Sequence, residues 1–167
     1  MRSLGDVSVG RPQLGDSMPV LVYRLFEMAM HATLVEEFDQ KRADDLFRGA
    51  GHMAGKFFAE NFLNKDQPFE DFVSQLQEKL SSMRMGILRI ERADLVDGKL
   101  QLSVYEDLDC SGLPVTGEQV CVYDEGLIAG ILEHYTGAPF TVREVDCWAS
   151  GERVCRFHAE KNNAAEY

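Results

Sequence analysis

The sequence has no run approaching the roughly 20 apolar residues that a bilayer-spanning helix needs. Its first segment, residues 1–15, carries glycines and a proline and lacks the apolar stretch of a secretory signal. Basic charge is scarce: 17 Lys and Arg stand against 28 Asp and Glu, a formal net charge of −11. Phosphate backbones and anionic bilayer surfaces attract Lys and Arg, so neither nucleic acid nor a membrane is an expected partner. The basic residues are also dispersed among acids, as where Lys41 and Arg42 are followed by Asp44 and Asp45. Cys-x-x-Cys is missing, so no standard zinc-finger spacing is present. No Ser-His-Asp or Cys-His arrangement can be argued from spacing. Gly49-Ala-Gly51-His-Met-Ala54 fits the dinucleotide fingerprint G-x-G-x-x-A only loosely, and it follows a helical pattern rather than the strand that fingerprint requires. These absences point to a cytoplasmic protein with no nucleotide cofactor of its own.

What is present suits a small globular protein. A chain of 167 residues that is 45% hydrophobic can bury a core. One domain is expected over residues 18–160, with an irregular arm over 1–17 and a tail over 161–167. Asp16 and Ser17 offer capping oxygens for a first helix with Pro19 near its first turn. That helix is apolar over much of its surface, through Leu21, Leu25, Phe26 and Met30, and should be buried or lie at a subunit contact. A second helix is expected over 40–63 and a third after Pro68, where Phe69, Phe72, Leu76 and Leu80 form a helical stripe. The pattern then turns β-prone. Asp97-Gly98 is a turn signal between strands at 85–95 and 99–108. A fourth helix is expected over 119–135, ending at Thr136-Gly137. Strands at 140–148 and 153–159 flank the turn Ala149–Glu152. The fold class is therefore α+β: N-terminal helices, then an antiparallel sheet of two hairpins with a helix between them.

Three of four cysteines lie in the last third of the chain. Cys147 and Cys155 flank the last turn, close enough across a hairpin to share one tetrahedral ion. Cys121 falls at the start of the fourth helix, where the helix dipole favours a thiolate. Glu144 is a candidate fourth ligand, but three residues from Cys147 a regular strand points it to the other face. Joint ligation requires a bulge near Val145-Asp146. The spacing equally allows the cysteines to be small buried hydrophobes. Gly126 and Gly130, four apart on the fourth helix, suggest close packing, as do Gly51 and Gly55 on the second. Phe57, Phe58, Phe62, Tyr105 and Trp148 are candidate lining residues of an apolar ligand pocket. The four histidines, His31, His52, His134 and His158, are too scattered to be read as metal ligands.

The stretch from Cys121 through Gly126, Gly130 and Gly137, then Glu144-Val-Asp-Cys147, then Gly151-Glu-Arg-Val-Cys155-Arg-Phe157, resembles the 4-vinyl reductase (4VR) domain family of predicted hydrocarbon-binding proteins. It is also similar to the related sensor domains of phenol-responsive activators. The resemblance implies a zinc site made of Cys121, Glu144, Cys147 and Cys155, with Cys110 left as a free thiol or a substitute ligand. An iron–sulfur cluster is the alternative cofactor for such thiolates. It further implies a homodimeric domain that binds a small apolar or aromatic molecule as a sensor or accessory protein. The alternatives are an enzyme or accessory subunit in vinyl-group reduction of a tetrapyrrole, and an assembly module resembling TRAPP subunits. No ATPase module and no helix-turn-helix is recognisable, so a signal would pass to a separate partner.

Overall fold

The computed structural model describes residues 4–162. The chain divides into two compact units, residues 1–43 and 44–167.

In the first unit, a single helical turn, α1 (Val7–Gly10), interrupts the expected irregular arm. The Asp6 side chain caps it by accepting from the Ser8 and Val9 amides at 2.9 and 3.2 Å. Helix α2 (Val20–Glu37) begins later than Asp16 and Ser17 would place it: its N-cap is Pro19, which has no side chain to offer the first turn. Of the two placements expected for α2, burial does not hold. None of its residues is buried, and Leu21 and Phe26 are 75% and 67% exposed. Helix α3 (Gln40–Phe62) starts at Asp39, whose carboxylate accepts from the Arg42 amide, and runs on into the second unit.

The second unit is the α+β domain. Helix α4 (Phe69–Ser82) follows Pro68 and buries Phe72, Leu76 and Leu80, the stripe visible in the sequence. Each such side chain contributes about 1.5–3 kcal/mol on removal from water. Strands β1 (Ile87–Asp94) and β2 (Lys99–Tyr105) form the first hairpin, and β3 (Phe140–Asp146) and β4 (Cys155–Lys161) the second. Lys161, expected in the tail, closes β4, and residues 163–167 of that tail lie outside the described residues. The strand order is β1-β2-β4-β3, all antiparallel, so β2 pairs with β4 and welds the two hairpins into one sheet. Along the inner face, Leu88, Leu102, Phe157 and Val142 alternate with outward residues such as Arg89, Gln101 and Arg143.

Helix α5 (Val122–Thr136) connects the hairpins and is buried through Glu125, Gly126, Leu127, Ala129, Gly130, Ile131 and Leu132. It is wedged between the sheet and α3. A methyl group at Gly126 would fall on the Arg48 carbonyl oxygen, and one at Gly51 on the Tyr123 carbonyl oxygen. Gly55 and Gly130 face Leu127 and His52 in the same way. The two backbones are therefore in direct contact, which only glycine permits. Charged side chains tie the crossing at its edges. Arg48 Nε donates to Glu125 at 2.7 Å, and His52 and Lys56 both reach Glu133, at 2.7 and 2.8 Å.

Candidate metal centre

Helix α5 starts at Cys121, whose side chain makes no capping bond. The capping acceptor comes from across the domain: Glu144 Oε2, on β3, accepts from the Cys121 amide at 3.1 Å. Glu144 faces inward together with Cys147 because β3 slips register between Glu144 and Asp146. There two residues of β3 oppose a single step on β4. This is the bulge that the three-residue separation demanded. The strand ends at Asp146, and the connection 147–154 is longer than the four-residue turn expected from the sequence. It is held as a compact loop. Ser150 Oγ accepts from the Cys147 amide and donates to the Cys147 carbonyl, while the Glu152 amide returns to that same carbonyl.

Four sulfurs converge behind this loop. Cys121 Sγ lies 3.8 Å from Cys147 Sγ and 3.7 Å from Cys155 Sγ, and Cys110 Sγ lies 3.0 Å from Cys155 Sγ. All four fall within 4.8 Å of one another, and all are free thiols at 0–1% exposure. Cys110 arrives from the loop after β2. There Glu106 takes a left-handed φ of 50°, and the Asp107 carboxylate accepts from the Asp109 and Cys110 amides at 2.9 and 3.2 Å. The loop is anchored onward by Trp148 Nε1 donating to the Leu113 carbonyl at 3.0 Å. The Thr116 and Gly117 amides also donate, both at 2.9 Å, to the Ala149 carbonyl.

The electrostatics are those of a dry anionic pocket. Hydrogen bonds from Cys110, Cys121 and Cys155 hold the Cys147 thiol far below its ordinary range, whereas the same neighbours, led by Cys110, push Cys121 and Cys155 up. One thiolate is favoured, and each further negative charge is opposed by the first. Burial, reinforced by the Cys147 charge, lifts Glu144 to about 8, against the pull of the Cys121 amide. Burial likewise raises Asp107, opposed chiefly by a hydrogen bond with Asp124. A bound cation would resolve this accumulation. The geometry fits one: four thiolates about 2.3 Å from a tetrahedral zinc are about 3.8 Å apart, as Cys121 is from Cys147 and Cys155. Sulfurs this close share one ion, whereas the thiolates of an iron–sulfur cluster bind separate irons and stand farther apart.

Of the four ligands that the resemblance implies, Cys121, Cys147 and Cys155 are brought together at the cluster. Glu144 stands beside it with Oε1 buried and lacking a hydrogen-bond partner. Cys110, outside the expected spacing, completes the sulfur group. The expected pocket residues do not converge. Phe58 and Phe62 have ring centroids 5.4 Å apart on α3. Tyr105 lies on the outer face of the sheet under the Arg89 guanidinium, 4.6 Å from its ring centroid. Trp148 packs at the 147–154 loop, and Phe57 is half-buried. A second aromatic group went unread in the sequence. Tyr135 of α5 stacks against Phe72 at 4.4 Å and Phe69 at 5.8 Å, and its hydroxyl donates to the Gln67 carbonyl. Its place in the helical period after Ile131 and Leu132 was the available signal. Glu125 was also missed. It is buried, and it accepts from Arg48, Arg143 and the Glu144 amide, which fixes the strand that carries Glu144.

Residues 100–161, which hold this cluster, match the sequence model of the vinyl-4-reductase domain. The chain carries a vinyl-4-reductase domain. The uncharacterized protein MJ1642 of Methanocaldococcus jannaschii is 28% identical over 57% of this chain and 56% of its own length. The chain spans about half the length of the curated relatives it matches. Among solved structures, a vinyl-4-reductase family protein of Methanocaldococcus jannaschii superposes with a TM-score of 0.66. It is 15% identical, over 98% of this chain and 99% of that one. The phenol-responsive sensory domain of the transcription activator PoxR, determined with phenol, has a TM-score of 0.65 at 15% identity, over 86% and 75%. Trafficking protein particle complex subunit 3 from Naegleria fowleri, covalently bound to palmitic acid, has 0.61 at 11%, over 89% and 100%. At these identities the likeness is one of fold. No helix among the described residues is long and apolar enough to cross a membrane.

Proposed function

We propose that this vinyl-4-reductase domain is a ligand-binding sensor or accessory module, built around a structural zinc, that takes a small apolar or aromatic molecule. The observation that carries the reading is the buried sulfur cluster at the junction of α5, the β2–α5 loop and the β3–β4 connection. Cys121, Cys147 and Cys155 would hold the ion, together with a fourth donor. When bound, zinc supplies positive charge and four fixed bonds, and with every position filled by protein it leaves no place for an activated water. Its role there is to join three segments of the chain. The residues around it orient rather than react. Glu144 caps α5, and Glu125 holds β3 through its backbone.

A ligand would enter the apolar interior between the helices and the inner sheet face, where Phe58, Phe72, Leu102, Ile131 and Tyr135 belong to one core. Likeness of fold to a sensory domain determined with phenol and to a subunit carrying palmitic acid supports that class of molecule. The exposed apolar helix α2 supports self-association, since large exposed apolar patches mark interaction surfaces. A second copy of the chain is the partner expected there.

The test is elemental analysis of purified protein, followed by thermal unfolding of the metal-loaded form with phenol and with palmitate. About one zinc per chain, as a closed four-ligand site requires, and a melting temperature raised by one probe would support the reading. Metal-free, fully folded protein would refute the zinc site. Indifference to both probes and to related aromatics would refute the ligand class.

A further inference from the structure

Three sulfurs leave one place on a tetrahedral ion, and two side chains compete for it: the Cys110 thiol and the Glu144 carboxyl. We propose that Cys110 takes it, so that the ion sits in an all-thiolate site and Glu144 serves as a neighbour that caps the helix. The inference rests on the metal-binding reading above and specifies its ligand set.

Position is the first argument. The Cys110 sulfur lies 3.0 Å from that of Cys155 and within 4.8 Å of the other two. No Glu144 oxygen joins that mutually close group. The second argument is prior engagement. Glu144 Oε2 already accepts from the Cys121 amide, and the Glu144 backbone is pinned because its amide donates to Glu125. Swinging the carboxylate onto the ion would remove this cap from the first turn of α5. The third argument is the way Cys110 is delivered. A left-handed residue, Glu106, and an Asp107 side chain that accepts from two successive amides turn the loop so that Cys110 points inward, at 0% exposure. A loop built this way delivers its sulfur to the cluster, as a ligand loop must. The fourth is chemical: an ion that already has three thiolates is served at least as well by a fourth as by a carboxylate, and all-sulfur tetrahedra are a recognised zinc environment.

The consequence reaches the rest of the domain. With Cys110 and Cys121 on one ion, both ends of the β2–α5 loop are clamped at a single point. That loop already donates two amides to Ala149 of the β3–β4 connection. The site then fixes the backbone that surrounds it, and it favours soft ions such as zinc and cadmium over magnesium and calcium.

The experiment uses the full chain loaded with cobalt(II), whose thiolate charge-transfer absorption scales with the number of sulfur ligands. Wild type is expected to show four-thiolate intensity. Cys110→Ser should lose about a quarter of it, as one of four ligands, and Glu144→Gln should keep it all. Wild-type intensity for three thiolates, unchanged in Cys110→Ser and altered in Glu144→Gln, would overturn the assignment in favour of Glu144 while leaving the metal site standing. Failure of wild type to bind cobalt or zinc at all would overturn the metal reading itself. X-ray absorption on the zinc-loaded wild type needs no variant and covers the case in which Cys110→Ser does not fold. Four sulfurs at about 2.3 Å are expected, and three sulfurs with one oxygen at about 2.0 Å would refute the proposal.

Discussion

Replacing Gly126 by alanine sets two physical effects against each other. In an isolated helix the change is favourable by about 1 kcal/mol, because alanine loses less backbone entropy than glycine. In this domain the new methyl would land on the Arg48 carbonyl oxygen and within 2.8 Å of the His52 amide nitrogen. Both are backbone atoms of α3, so no side chain can turn aside. The helices must separate, and Gly51, Gly55 and Gly130 give the crossing three further points of contact that separate with it. The Arg48–Glu125 bond at 2.7 Å and the bonds of His52 and Lys56 to Glu133 span the same crossing and lengthen together. Overpacking costs about 1–3 kcal/mol where side chains can adjust, and here the upper end applies. We therefore expect a net loss of about 2–3 kcal/mol. Urea unfolding of the metal-loaded protein, followed by circular dichroism, measures it. Gly49→Ala is the control: it lies on the same helix α3 with nothing within 4 Å of the added carbon, so it should gain up to about 1 kcal/mol. If Gly126→Ala proves as stable as wild type, the direct backbone contact between α3 and α5 is wrong.

Glu125→Ala should cost about 2–4 kcal/mol in the same assay, since it strips a buried acceptor from Arg48, Arg143 and the Glu144 amide. Arg84 sits in the left-handed region (φ 58°) just after α4, where the Met85 amide bonds back to the Leu80 carbonyl. Arg84→Gly should stabilise the domain by about 0.5–1 kcal/mol, read as a higher urea midpoint. The hydrogen bond from Lys56 holds Glu133 below its ordinary value of 4.5. A depressed folded-state value gives stability that is present above about pH 4.5 and lost as pH falls through the folded value, so Glu133→Gln should flatten that acid limb of the stability profile. Chelation of the metal-loaded protein should accelerate amide exchange selectively over 111–120 and 147–154, and an unchanged exchange pattern would count against the metal as a clamp. Leu25→Glu together with Phe26→Glu on α2 should shift the species seen by size-exclusion chromatography with light scattering from dimer to monomer.

Local signals in the chain were enough to place the elements and to find most of the candidate site. Periodicity marked α3 and α4, Asp97-Gly98 marked the first hairpin, and glycines four apart marked the helix crossing, because these signals are set by the repeat of a helix or strand. A bulge after Glu144 was also required, since three residues along a flat strand cannot face the same way. The order β1-β2-β4-β3 emerges on folding, because strand pairing across distant segments leaves no local mark. The exposure of α2 was likewise hidden, since an apolar sequence says that a surface wants a partner and not whether one is present. The same holds for the fourth sulfur of the cluster. Spacing put Cys110 outside the metal set, eleven positions before Cys121 on an irregular loop. Folding places its sulfur 3.0 Å from that of Cys155, because a left-handed turn and one aspartate aim the loop inward, and loops of that kind follow no period that a sequence displays.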